Sequence, residues 1–146
     1  MKNYTSYDLI EWGKPFEKSQ HALPEPTLSE VLIRVTAAGL CHSDLHVQKG
    51  YMDLGEEGRL TFAERGAQLP MTFGHEIAGI VEAIGDKVKN VSIGQQVIVF
   101  PWIGCGDCLA CNEDRESDCS AMRIIGLKQK GGFATHCLIE NEKFLV

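Results

Sequence analysis

Four cysteines lie within fifteen residues of this chain: Cys105, Cys108, Cys111 and Cys119, in "GCGDCLACNEDRESDC". The spacing is C-x2-C-x2-C-x7-C. Cysteines three apart do not pair easily in one compact set of disulfides, but they readily point their sulfurs at a common centre. Tetrahedral zinc bound by four thiolates needs such short, turn-forming separations. Zinc is therefore expected ahead of a redox pair, disulfides or an iron–sulfur cluster. Gly104 and Gly106 let the backbone turn tightly, and the acidic residues from Asp107 to Asp118 keep this lobe solvated. Four protein ligands leave no open position for a substrate, so the lobe, residues 104–120, is expected to be structural.

Two other stretches offer chemistry. "GLCHSDLH" runs from Gly39 to His46, and "GHEIAG" from Gly74 to Gly79. Taken singly, each has a plain reading. Cys41 alone suits a small buried position, and His75 alone suits a hydrogen-bonded core or surface position. Together they supply a thiolate, an imidazole and, from Glu76, a carboxylate. These are the ligand types of an open, catalytic zinc. Sequence alone does not bring Cys41 and His75 together.

The elements that must position these groups are mostly strands. "VLIRVTA" (31–37) alternates apolar and polar and is rich in β-branched residues. "IAGIVEAIG" (77–85) reads as a strand in which Gly79 marks a bend or a close backbone approach. "QVIVF" (96–100) is an apolar strand, and "GGFATHCLIE" is a late strand after a glycine turn, with Cys137 buried in it. "GDKVKN" is a turn. "SDLHVQKG" (43–50) suits one short helix ending at glycine. Between Gly50 and Pro70 the polar, glycine-containing sequence reads as a long excursion or lid-like loop. The pattern favours a small β-barrel or sandwich with a few helices.

The 146 residues suit a single domain, 1–146, with 44% hydrophobic and 23% charged residues. A net charge of −6 repels phosphate backbones, so no nucleic-acid partner is expected. No export signal and no membrane-spanning stretch is visible, so a cytoplasmic, reducing setting is expected.

With these motifs in hand, the chain resembles the N-terminal catalytic domain of the zinc-dependent alcohol dehydrogenases, in the medium-chain dehydrogenase superfamily. The family's zinc signature, G-H-E-x-x-G-x5-G-x2-V, is matched by Gly74, His75, Glu76, Gly79, Gly85 and Val88. "GLCHSD", "GAQLPMTFGHE" and the four-cysteine lobe follow in the family's order. The resemblance implies a GroES-like, mainly β fold: a partly open barrel with short helices and a zinc lobe.

It also implies roles. Cys41 and His75 are expected to ligate a catalytic zinc. Glu76 is expected either as an alternative ligand or as a carboxylate behind the ligands, and Asp44 as the carboxylate that orients the histidine. Ser43 and His46 are expected to form a proton relay, His42 to face the cofactor pyrophosphate, and Trp102 to line the substrate pocket. Plainer readings stand beside these: Ser43 as a helix cap, His46 and His42 as surface residues, and Trp102 as core. The implied activity is oxidation of a small alcohol to an aldehyde or ketone with NAD or NADP, in a homodimer or homotetramer. Departures from the family pattern are equally informative. No G-x-G-x-x-G occurs, so the nucleotide-binding domain is expected outside this chain. The third catalytic ligand is expected beyond Val146, leaving Glu76 or water to complete the site here. Gln95 stands where relatives carry an acidic residue. The chain is thus expected to be a piece of a larger enzyme. The alternative is a freestanding zinc-binding β-domain with a structural or interaction role.

Overall fold

The computed structural model describes residues 2–146. Eleven strands are joined by two short helices and three 3-10 turns. In chain order they are β1 (Asn3–Leu9), β2 (Glu17–Ala22), β3 (Val31–Gly39), α1 (His42–Lys49), β4 (Tyr51–Asp53), β5 (Arg59–Thr61), β6 (Met71–Thr72), β7 (Glu76–Ile84), β8 (Gln96–Val99), β9 (Trp102–Ile103), α2 (Leu109–Asn112), β10 (Arg123–Ile124) and β11 (His136–Ile139).

Two antiparallel sheets carry most of the strand residues. One has the order β11-β3-β7-β8 and the other the order β2-β1-β6; they do not close into a barrel. Tyr7 N–H donates to the Phe133 carbonyl (2.8 Å) and Thr135 N–H to that of Thr5 (2.8 Å), stitching β1 to the approach of β11. The main core follows from alternation. Ile77 and Val81 of β7, Val97 and Val99 of β8, and Cys137 and Ile139 of β11 all point inward. They meet Val31 and Ile33 of β3, with Ile103, Ile125 and Phe144. Ile33 is fully buried opposite Val81. A fully buried aliphatic side chain of this kind contributes about 1.5–3 kcal/mol. Gly79 is a close approach, as expected: a Cβ there would lie 2.6 Å from the Arg34 carbonyl oxygen. The β3–β7 register also shifts between Val35 and Ala37, beside that contact.

Residues 50–70 are not a free loop. Strands β4 and β5 pair as a hairpin around the 3-10 turn Gly55–Glu57. The chain then returns through Phe62, whose N–H donates to the Gly50 carbonyl (3.0 Å). Phe62 is buried with Leu9, Val47 and Phe73 in a second core cluster, and Met52, Ala67 and Leu69 pack against it. The charged, glycine-bounded tip hides two three-residue strands from any pattern argument. The hairpin β1–β2 lay outside the strands read from sequence, because β2 ("EKSQHA") is a polar edge strand with no buried residue. Among the described residues, no helix is long and apolar enough to cross a membrane.

Candidate functional site

Helix α1 begins directly after the end of β3. Cys41 is its N-cap residue, with extended backbone (φ −89°, ψ 153°). Its N–H donates to Asp44 Oδ2 at 3.0 Å, which satisfies a donor at the helix start and fixes the carboxylate. Ser43 lies inside the first turn and does not cap the helix, so its hydroxyl is free to face elsewhere. Gly50 closes the helix in a left-handed conformation (φ 88°), its N–H donating to the Val47 carbonyl at 2.9 Å.

His75 comes from the short segment between β6 and β7. That segment is clamped backbone to backbone. Gly131 N–H donates to the Thr72 carbonyl, Gly132 N–H to that of Gly74 and Phe133 N–H to that of Phe73, each at 2.8 Å. Gly74 has φ 89°, and a Cβ there would meet the Phe133 ring at 2.6 Å. The glycine of the G-H-E triplet is thus required both by its conformation and by the ring above it.

The clamp and the helix start bring the two motifs together. His75 Nδ1 lies 3.5 Å from Asp44 Oδ1, and Asp44 is only 3% exposed. His75 Nε2 lies 3.4 Å from Ser43 Oγ. A carboxylate beside Nδ1 favours the tautomer protonated there and leaves the Nε2 lone pair facing Ser43. The Cys41 sulfur, a His75 ring nitrogen and a Glu76 carboxylate oxygen lie within 4.8 Å of one another. Sulfur, imidazole and carboxylate together are a donor set that fits zinc.

These groups line a cleft of about 700 Å³, whose walls include Ile98, Pro101 and Trp102. The volume suits a small organic molecule. Trp102 is 39% exposed, with its ring centroid 5.3 Å from that of Phe100, so it stands at the cleft and not in the core. Ile98, absent from the sequence reading, is 61% exposed on the same wall. The signal for it was an isoleucine at the outward position of β8, where "QVIV" alternates exposed and buried. His46 is not in hydrogen-bond contact with Ser43. Its ring lies tilted against that of the exposed His42, one helical turn away, at 4.7 Å between ring centroids.

The cysteine lobe lies on the connection between β9 and β10. The sulfurs of Cys105, Cys108, Cys111 and Cys119 all lie within 4.8 Å of one another. Two of the separations are 3.9 Å (Cys105–Cys111) and 3.5 Å (Cys108–Cys111). A tetrahedron with Zn–S bonds of about 2.3 Å has edges of about 3.8 Å, so the arrangement fits zinc. All six cysteines are free thiols. The Asp107 and Cys108 N–H groups, then the side chains of Cys108 and Cys119, hold the Cys105 thiol down to about 6. Although the Gly106 N–H opposes it, burial and the neighbouring Cys108, Cys119 and Cys105 sulfurs push Cys111 up to about 11. Glu116, buried at the lobe's edge, accepts from Lys143 Nζ at 2.8 Å and ties the lobe to the turn Glu142–Phe144.

Residues 27–146 match the model of the alcohol dehydrogenase GroES-like domain. An NAD-dependent alcohol dehydrogenase of Sulfurisphaera tokodaii is 41% identical over 138 residues, covering 94% of this chain and 38% of the relative. The crystal structure of a D-arabinose dehydrogenase from Sulfolobus solfataricus superposes with a TM-score of 0.82 at 30% identity, covering 100% of this chain and 40% of that one. A cobalt- and zinc-bound thermostable alcohol dehydrogenase from Pyrobaculum aerophilum gives a TM-score of 0.80 at 26% identity, covering 99% of this chain and 41% of that one. The chain thus spans roughly two-fifths of the length of these relatives. Because the match to that family's model runs over residues 27–146, the chain belongs to the alcohol dehydrogenase GroES-like domain family.

Proposed function

We propose that this chain is the metal-holding catalytic domain of a zinc-dependent alcohol dehydrogenase, which oxidises a small alcohol to an aldehyde or ketone with a nicotinamide cofactor. One observation carries the reading: Cys41, His75 and Glu76 converge on the wall of an apolar cleft, with the Ser43 hydroxyl beside His75. A domain built only for structure has no need of that convergence. The dinucleotide would be held by the rest of a longer protein, because no glycine fingerprint occurs in these residues.

Cys41 and His75, with Glu76, would hold the catalytic zinc, and the four cysteines of the lobe a structural one. Zinc bound at Cys41 and His75 supplies a Lewis acid that lowers the pKa of an alcohol hydroxyl. Asp44 keeps His75 Nε2 available as a donor by holding the proton on Nδ1. Ser43 Oγ is placed to accept the hydroxyl proton. Onward transfer to His46 would need a bridging group, since no hydrogen bond joins the two side chains among the described residues. Trp102 and Ile98 shelter the carbon skeleton and keep water from the reacting carbon. His42, exposed at the start of α1, is the residue of this chain proposed to face the cofactor. Six free thiols suit a reducing, cytoplasmic setting, and the family reading carries with it a homodimer or homotetramer.

The test is metal analysis and turnover together. The chain should carry a tightly held zinc in the lobe and a second, chelator-sensitive ion. The complete reading frame that contains it should reduce NAD or NADP in the presence of a small primary or secondary alcohol. Failure of every alcohol in a broad panel, with both ions bound, would overturn the reading.

A further inference from the structure

Gly39 and Glu76 stand directly opposite each other in the β3–β7 ladder. Side chains of an opposed antiparallel pair share one face of the sheet, their Cβ atoms normally about 4.5–5.5 Å apart. Here one partner has no side chain, and the other uses the space. A Cβ on Gly39 would lie 3.0 Å from Glu76 Cβ and 3.2 Å from its Cδ, and would overlap Oε2. The Glu76 chain therefore folds across β3 and lies over Gly39.

Backbone conformation does not explain the glycine. Gly39 is not among the glycines with positive φ. Glycine weakens a strand, so its presence there calls for a close approach. A polar partner does not explain the folded carboxylate either. Among the described residues, the Glu76 side chain makes no hydrogen bond and no ion pair, although it is exposed and could extend into water. It lies instead within 4.8 Å of the Cys41 sulfur and the His75 ring. Cys41 follows Gly39 by two residues and His75 precedes Glu76 by one, so this cross-strand pair sits at the junction of both motifs.

We propose that Gly39 is a positioning residue: its missing side chain gives Glu76 the room to cross the ladder and present its carboxylate beside Cys41 and His75. This rests on the reading that Cys41, His75 and Glu76 hold a metal ion. Any side chain at 39 overlaps the Glu76 carboxylate and turns it away.

The experiment uses the chain with zinc kept in the cysteine lobe and Co(II) titrated at the second position, against a competing chelator. Affinity and the thiolate-to-cobalt absorption from Cys41 are the readouts. Glu76→Gln, Gly39→Ala and the double variant are compared. Gly39→Ala should weaken cobalt by ~10–100-fold, the range for groups that orient a ligand. It should also alter the spectrum as Glu76→Gln does, and the double variant should be no worse than either single one. Unchanged affinity in Gly39→Ala, or additive losses in the double variant, would overturn the positioning role while leaving the metal reading intact. Loss of nothing in Glu76→Gln would instead remove Glu76 from the donor set, and the positioning role with it. If Gly39→Ala does not fold, Gly39→Ala/Glu76→Gly decides. Recovery of a folded, lobe-loaded chain supports a clash with the Glu76 side chain, and failure to recover overturns it.

Discussion

Asp44 and His75 meet across 3.5 Å from carboxylate Oδ1 to imidazole Nδ1, with Asp44 nearly fully buried. The other oxygen of the same carboxylate accepts the Cys41 N–H. One buried acid therefore links the two candidate ligands, though the two come from motifs more than thirty residues apart. Asp44→Asn preserves the volume but loses the charge that selects the His75 tautomer. The expected outcome is a ~10–100-fold weaker affinity for the second metal ion, with the lobe zinc retained. Competition with a colorimetric chelator measures it, and unchanged affinity would mean that His75 is oriented without Asp44.

The lobe gives a separate prediction. All four of its thiols are present and close, so a zinc ion held there would need no ligand from outside residues 105–119. Cys108→Ser removes one donor and should lower zinc content from about one tightly held ion toward partial occupancy. It should also lower the thermal midpoint, since a structural zinc contributes folding free energy. Loss of metal should leave the Cys41 site able to bind added cobalt, because that site is built from the start of α1, the segment between β6 and β7, and the first residue of β7. A variant that keeps its full zinc content and midpoint would contradict the assignment.

Much of this candidate site stands out in the sequence itself, for a physical reason. Metal ligands must carry particular side chains at short, turn-compatible spacings, so Cys105 to Cys119 and the G-H-E turn stand out in one dimension. Strands such as 31–37 and 96–100 also show themselves, because β-branched residues alternate there. What stayed hidden depends on contacts distant in sequence. The clamp of residues 131–133 on 72–74 consists of backbone bonds, which leave no side-chain signature beyond the glycines. Gly39 looks like any strand-end glycine until the register sets it against Glu76. Ile98 becomes informative only once Val97 and Val99 are seen to face inward.

Glu142 offers a test of pH dependence away from both metal positions. Its carboxylate accepts from the N–H groups of Lys89 and Asn90 and anchors the segment 88–91 to the end of the main core. The Asn90 N–H, then those of Lys89 and Val91, hold its carboxyl below the usual 4.5 against the opposing effect of desolvation. The folded pKa is depressed, so the stabilisation is complete above the unfolded value and is lost as pH falls through the folded value. Glu142→Gln should therefore lower the urea midpoint at neutral pH, by an amount that is constant above about pH 5.5. The gap between the two proteins should narrow below pH 4.5. Because it is read as a difference, the acid sensitivity shared by both proteins cancels. A gap that stays constant into acid would show that the carboxylate's charge plays no part.

Ser43 separates chemistry from metal binding. Its hydroxyl sits 3.4 Å from His75 Nε2, on the wall of the cleft and in the first turn of α1, where it caps nothing. Removing it should cost the fold little. In the full-length protein that contains this chain, Ser43→Ala should leave both metal ions bound and KM for the alcohol within a few-fold. It should lower kcat by about 10²–10⁴-fold, the usual worth of a positioned proton acceptor. Ser43→Thr keeps the hydroxyl and should recover most of that loss, which a purely structural role for the side chain would not produce. Steady-state kinetics with metal analysis on the same samples reads both quantities. Full kcat without the hydroxyl would move proton acceptance to another group while leaving the metal site as it is described. A parallel loss of metal would instead place Ser43 among the groups that hold the ion.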